Sequence, residues 1–173
     1  MKNVKPAHPD ASIASASPDA PPTPHALHRE TVAIDVDAFA WNYAQTSGEL
    51  QQDGKPVANG YSGAGEGKNN PAMQNVPNVG PIPDGDWTIT GPPADTASHG
   101  PYVLKLNPAD GTETFGRSGF LMHGDSKEHP GCASHGCVIL PRAVREQVWN
   151  SGDRKLEVIA EIPAAASGKN NGE

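Results

Sequence analysis

The sequence predicts a mainly β domain with one short helix, and three observations predict it. Glycine and proline are both abundant, 19 and 18 of 173 residues, which breaks a chain into short strands and turns. Apolar residues recur in short alternating runs, the period of a strand. An apolar spacing of four, the period of a helix, stands out in one place, at Leu140, Val144 and Val148.

Taken in order, residues 1–29 are rich in Pro, Ala, Ser, Asp and His, with no repeating apolar face, and are expected to be a disordered arm. Val32, Ile34 and Val36 alternate, and the phase then changes to Phe39, Trp41 and Tyr43, as for two strands about a turn near Asp37. Asp53-Gly54 marks a turn, and 60–71 is a glycine-rich loop. Further Pro and Gly punctuate 77–86 before the strand-like Trp87-Thr88-Ile89-Thr90. Tyr102, Leu104 and Leu106 predict another strand, as do 120–123 and 137–140. Pro141 suits the first position of the helix and Gly152 its end. Leu156, Val158, Ala160 and Ile162 form the last alternation, and the tail 164–173 is expected to be disordered. One domain over 30–163 is the resulting organisation, a size that buries a real core.

A net charge of −7 and a pI near 5.4, with no basic cluster, exclude a nucleic-acid binder. No stretch is apolar enough to insert into a membrane, and the N-terminus lacks the apolar segment of a secretory signal. Two cysteines do not make a disulfide framework, so chemistry is the first reading of their closeness.

Residues 123–137 gather three of the seven histidines and both cysteines. A thiol attacks as thiolate, so a working Cys137 needs an imidazole or a positive neighbour to lower its pKa. His123 is the candidate base, and the intervening chain is long enough to fold back. Gly136, lacking a side chain, would let a substrate carbonyl approach the N–H groups of 136 and 137 as an oxyanion hole. The plain alternative is a turn glycine before a buried strand. A zinc module built from His123, His129, Cys132, His135 and Cys137 is a rival, as is an inactive binding domain. The loop 63–68 misses the phosphate-loop pattern at both ends. Ser134 is expected to bond locally, His135 either to contact substrate or to brace the loop, and Tyr61 to bring its loop near the site. Cys132 reads as a small buried side chain, with oxidative pairing to Cys137 as the alternative.

A histidine followed by Ser134-His135-Gly136-Cys137 resembles the signature of L,D-transpeptidases with a YkuD-type domain. Gly60-Tyr61-Ser62-Gly63, Asn69-Asn70-Pro71, Gly80-Pro81-Ile82-Pro83-Asp84-Gly85 and Arg117-Ser118-Gly119-Phe120 are similar to segments of the short effector branch delivered by type VI secretion. Papain-like enzymes place cysteine before histidine, and sortases lack the four-residue match.

The resemblance implies a YkuD-like β-sandwich and a cofactor-free L,D-transpeptidase or L,D-carboxypeptidase acting on peptidoglycan tetrapeptide stems through an acyl-thioester. It implies Cys137 as nucleophile, His123 as base, the Gly124 carbonyl as its orienter, and the backbone around His135, Gly136 and Cys137 as oxyanion site. Substrate contacts are expected from Ser134, His135, Gly136, Tyr61 and Arg117. The spacer between His123 and Ser134 is shorter than in most housekeeping members, which favours hydrolysis or exchange beside 3-3 crosslinking. Ile139 stands where the family often has a polar or basic residue, so a carboxylate clamp must come from elsewhere. Arg117 and Arg142 are candidates, against a plain reading as solvated surface charges. The effector branch further implies an antibacterial toxin secreted without a signal peptide and acting in the periplasm of a target bacterium, with a cognate immunity protein and type VI secretion components as partners.

Overall fold

A computed structural model of the protein describes residues 41–163. The expected arm at 1–29, the alternation at 32–36 and the tail at 164–173 lie outside the described residues. Within them the chain is mainly β with one α-helix, as the Gly/Pro punctuation and short alternations predict. The strands are β1 (Trp41–Ala44), β2 (Glu49–Gln52), β3 (Lys55–Asn59), β4 (Tyr61–Ser62), β5 (Gly85–Thr96), β6 (Gly100–Pro108), β7 (Leu121–His123), β8 (Val138–Ile139) and β9 (Lys155–Ile159). The helix α1 is Arg142–Asn150. Hydrogen bonding joins the strands in the order β3-β2-β1-β9-β5-β6-β7-β8-β4.

Alternation explains the core. Trp41 and Tyr43 on β1, Ile89 and Trp87 on β5, Leu104 and Leu106 on β6, and Leu156 and Val158 on β9 are buried together with Met122 and Val138. Each such side chain contributes roughly 1.5–3 kcal/mol when removed from water. Helix α1 packs Val148 into this cluster, with Val144 and Trp149 at its edge. Pro141 occupies the cap just before the helix rather than its first turn, a position where its missing N–H is equally harmless. Gly152 follows the helix with φ +81°, the left-handed stop that glycine supplies.

Asp53 and Gly54 both take positive φ, the hairpin turn that joins β2 to β3. Strands β5 and β6 are much longer than their alternating segments. Their register shifts between Thr90 and Ala94, and Tyr102 stands at φ +57°. Periodicity is lost through such a bulge, so the strand outlasts its sequence pattern. Strand β4 is a two-residue pairing inside the predicted glycine-rich loop, too short to have a period.

Two strand pairs are parallel, β1 with β9 and β7 with β8. The second decides where the chemistry can sit. Parallel neighbours need a crossover, so the chain leaving the end of β7 at His123 must run back along the sheet before β8 begins. That returning segment is 124–137, the His- and Cys-rich stretch of the sequence.

Candidate active site

Register places the two candidate residues. Met122 pairs with Val138 and His123 with Ile139. Alternation then sends Met122 and Val138 into the core, where both are fully buried, and His123 and Ile139 to the other face. Cys137 immediately precedes β8, the strand paired with the end of β7 at His123, and its Sγ lies by the Gly119 carbonyl.

The histidine is oriented from behind. Its Nδ1 lies 2.8 Å from the Gly124 carbonyl oxygen, which only accepts, so Nδ1 carries the proton. Its Nε2 is buried and has no hydrogen-bond partner among the described residues. The ring meets His99 edge-on, centroids 4.7 Å apart. Burial pushes His123 below its ordinary 6.5. The Gly124 hydrogen bond opposes this, while the charges of His99 and Arg145 add to it.

The Cys137 thiol is buried, and Sγ donates weakly to the Gly119 carbonyl at 3.9 Å. Burial pushes it above its ordinary 9.0, opposed by the Leu121 backbone N–H and by the Arg117 charge. The sequence argument expects a lowered thiol pKa. The resting site differs because burial outweighs both stabilising groups, so thiol and imidazole are each held neutral. No hydrogen bond joins them in this state.

Ser134 and Gly136 shape the loop. The fully buried Ser134 hydroxyl donates to the Cys137 carbonyl at 2.6 Å and accepts from the N–H groups of Gly63 and Gly136. The local bonding expected of Ser134 is therefore what it does. It also takes up the Gly136 N–H, which the sequence reading offers to an oxyanion. The N–H groups of His135 and Cys137 have no hydrogen-bond partner among the described residues. Gly136 has φ +128°, and a Cβ there would lie 2.3 Å from Arg117 Nη2. The glycine is required by backbone conformation and by the arginine above it.

Arg117 is not the solvated charge of its plain reading. Its Nη1 donates to the carbonyls of Gln74 at 2.5 Å and Pro81 at 2.7 Å, and its Nη2 to that of Gly80 at 2.9 Å. This anchors the guanidinium over the Cys137 loop. Arg142 is exposed and paired with Glu146. Tyr61 donates to Asp125 Oδ1 at 2.6 Å and accepts from the Ala133 N–H at 2.9 Å. Burial pushes Asp125 up, but hydrogen bonds from Tyr61, Gly131 and Ser126 outweigh it and hold its carboxyl below the ordinary value. Tyr61 thus ties the returning loop down, and it lines neither cavity of the site.

Those cavities flank His135. One of about 250 Å³ holds Cys137, Gly136, Arg117 and Phe120. The other, of about 1190 Å³, holds His123, Gly124, Asp125, Cys132 and Arg145. His135 is exposed and lines both. Cys132 is an exposed free thiol on the larger cavity, against its plain reading as a buried side chain, because it sits on the outside of the returning loop. Among the described residues no three His, Cys, Asp or Glu side chains converge as metal ligands. Arg145, on the buried face of α1, is the residue of this site that periodicity hid: a charge four places after Pro141 reads as solvent-facing.

The described residues form a mainly β domain with a His-to-Cys crossover between parallel strands, and the family match below puts it in the L,D-transpeptidase-like class. Residues 57–162 match the family described as Tlde1 domain, and the chain belongs to that family, the type VI L,D-transpeptidase effectors. The resemblance carried by Ser134-His135-Gly136-Cys137 and its flanking segments is borne out at that level. Among solved structures the chain is similar to the crystal structure of an L,D-transpeptidase (Yku) from Stackebrandtia nassauensis, with a TM-score of 0.42 and 16% identity over 72% of this chain. The chain spans 55% of that structure's length. No curated protein matches it. No helix among the described residues is long and apolar enough to cross a membrane.

Proposed function

We propose that the protein is a cysteine-dependent L,D-transpeptidase and L,D-carboxypeptidase that works on peptidoglycan tetrapeptide stems through an acyl-thioester. The observation that supports this reading is the β7–β8 pairing, which brings the end of β7 at His123 beside the strand that Cys137 precedes, with the His123 Nε2 buried and unpartnered among the described residues. Gly124 fixes the tautomer that leaves the Nε2 lone pair free. As the stem carbonyl arrives, Nε2 takes the thiol proton and Sγ attacks the carbonyl carbon. The oxyanion is met by the N–H groups of His135 and Cys137. His123 then gives the proton to the departing D-alanine nitrogen, the C–N bond breaks, and the thioester remains. Water or an amine resolves it by the reverse path.

The neutral resting pair suits this sequence, because a buried thiol is protected until a substrate shares its pocket. In this reading the chain is an antibacterial type VI effector that acts in the periplasm of a target cell, and its producer holds an immunity protein.

The test is intact-protein mass spectrometry after incubation with purified tetrapeptide muropeptides. The expected result is an adduct of the stem minus D-alanine on Cys137, together with tripeptide or exchanged products. Cys137→Ala and His123→Ala should each abolish product without loss of fold, since nucleophile and base act as one unit. A folded Cys137→Ala protein with undiminished activity would refute the assignment.

A further inference from the structure

Arg145 is an unexplained charge. It is 3% exposed, and the ion pair found among the described residues is Arg142–Glu146, which does not include it. Its Nε donates to the Leu140 carbonyl at 3.0 Å, and its Nη1 donates to the carbonyls of Pro101, at 2.8 Å, and Tyr102. The bulge at Tyr102 aims these carbonyls at it. Three of its five N–H bonds are thus used, and both on Nη2 have no partner among the described residues. The Nη2 end is not sealed from solvent, so water or a ligand can complete it.

The free end sits where a ligand can reach it. Arg145 lines the larger cavity, and its Nη2 would be 3.0 Å from a Cβ on Gly124, the residue whose carbonyl holds the His123 ring. Imidazole and guanidinium therefore meet around one glycine. The same cavity carries Lys127 and Arg142, and its one acidic lining residue, Asp125, is committed to Tyr61, Ser126 and Gly131. Such a surround favours an anion with flat, two-oxygen geometry, to which a guanidinium edge is matched.

We propose that Arg145 Nη2 binds the α-carboxylate of the amino acid that leaves or enters at the thioester, so that this cavity selects free α-amino acids over amines without a carboxylate. The inference rests on the acyl-thioester reading above. In an α-amino acid the amine and carboxylate are two bonds apart. Arg145 and His123 meet at Gly124, so a carboxylate held by Arg145 stands near the imidazole that handles the amine proton. In the exchange step the amine nitrogen bonds to the thioester carbon and the C–S bond breaks. The amine proton goes to His123, and the sulfur leaves as thiolate, which takes a proton back. Microscopic reversibility puts the departing D-alanine carboxylate on the same arginine.

The test uses the full chain, a tetrapeptide stem as donor, and either D-methionine or D-methioninamide as acceptor, two amines of the same shape that differ in the carboxylate. D-methionine is expected to be used at least about tenfold more efficiently in kcat/KM, through KM. In Arg145→Gln that preference should collapse, with Arg145→Lys restoring part of it and thermal unfolding checking that each variant is folded. Should Arg145→Gln fail to fold, the acceptor pair on the unaltered chain carries the test alone. If the Cys137 adduct forms and both acceptors resolve it equally well, the arginine assignment is overturned while the thioester stands. If no adduct forms, the parent reading falls and takes this one with it.

Discussion

The two walls of the site are built alike and act oppositely. On the cysteine side Arg117 is pinned by the carbonyls of Gln74, Gly80 and Pro81 and rests on Gly136. On the histidine side Arg145 is pinned by those of Leu140, Pro101 and Tyr102 and rests on Gly124. Each guanidinium is held by backbone rather than by a carboxylate, and each approaches a catalytic candidate across a glycine. The same positive charge favours the anionic form of Cys137 but the neutral form of His123. The difference teaches that a cation's effect is set by the charge its neighbour bears when ionised. The Arg117 charge opposes the rise that burial gives Cys137, and the Arg145 charge adds to the fall that burial gives His123.

The comparison is broken most severely at Gly136. Gly136→Ala forces a Cβ into Arg117 and strains a φ of +128°, at a backbone cost of about 1–3 kcal/mol. We expect loss of activity of more than tenfold and a lower unfolding temperature, read by turnover of a tetrapeptide stem and by calorimetry. Unchanged activity would show that Arg117 need not sit where it does.

Arg117→Met should act next most strongly and on one wall alone. The rate kcat/KM is expected to rise with pH through a His123 pKa below 6.5 and to fall above a Cys137 pKa higher than 9.0, where the proton for the leaving amine is gone. Removing Arg117 takes away a charge that favours the thiolate, so the alkaline limb moves further up and the acid limb stays. Alkylation of Cys137 by iodoacetamide against pH should track the same shift. Movement of the acid limb instead would erase the distinction between the walls.

The smallest effect is expected at Tyr61→Phe. It deletes the bond to Asp125 and the acceptor for Ala133 while keeping the buried ring, a loss of about 1–2 kcal/mol of stability visible in chemical denaturation. Activity should fall less than for either glycine or arginine change, because the tyrosine fastens the returning loop and lines neither cavity.

The legible parts of the site were those with a local signal. Cys137, His123 and the loop between them stand in one stretch of sequence, and the Ser134 hydroxyl bonds within its own turn, as its residue type foretells. Arg117 was legible as a residue of interest but not in its posture, since the three carbonyls that seize it lie far back in the chain, at residues 74–81. Arg145 was invisible: its helix pattern marks a charge, and charges at such positions usually face water. Strand β4 and the lengths of β5 and β6 were likewise hidden, because pairing partners and bulges, rather than alternation, set them.

By itself the sequence determined a β-rich chain with one helix at Pro141, a candidate nucleophile and base bracketing one loop, and a family likeness in Ser134-His135-Gly136-Cys137. Those follow from side-chain chemistry and short-range periodicity, which are properties of neighbours along the chain. Tertiary structure alone decided that the strand after Cys137 lies beside the one ending at His123, that the Gly136 N–H belongs to Ser134, and that two distant arginines rest on Gly136 and Gly124. The physical reason is that strand register and backbone carbonyls act through space, and neither leaves a trace in the residue types they bring together.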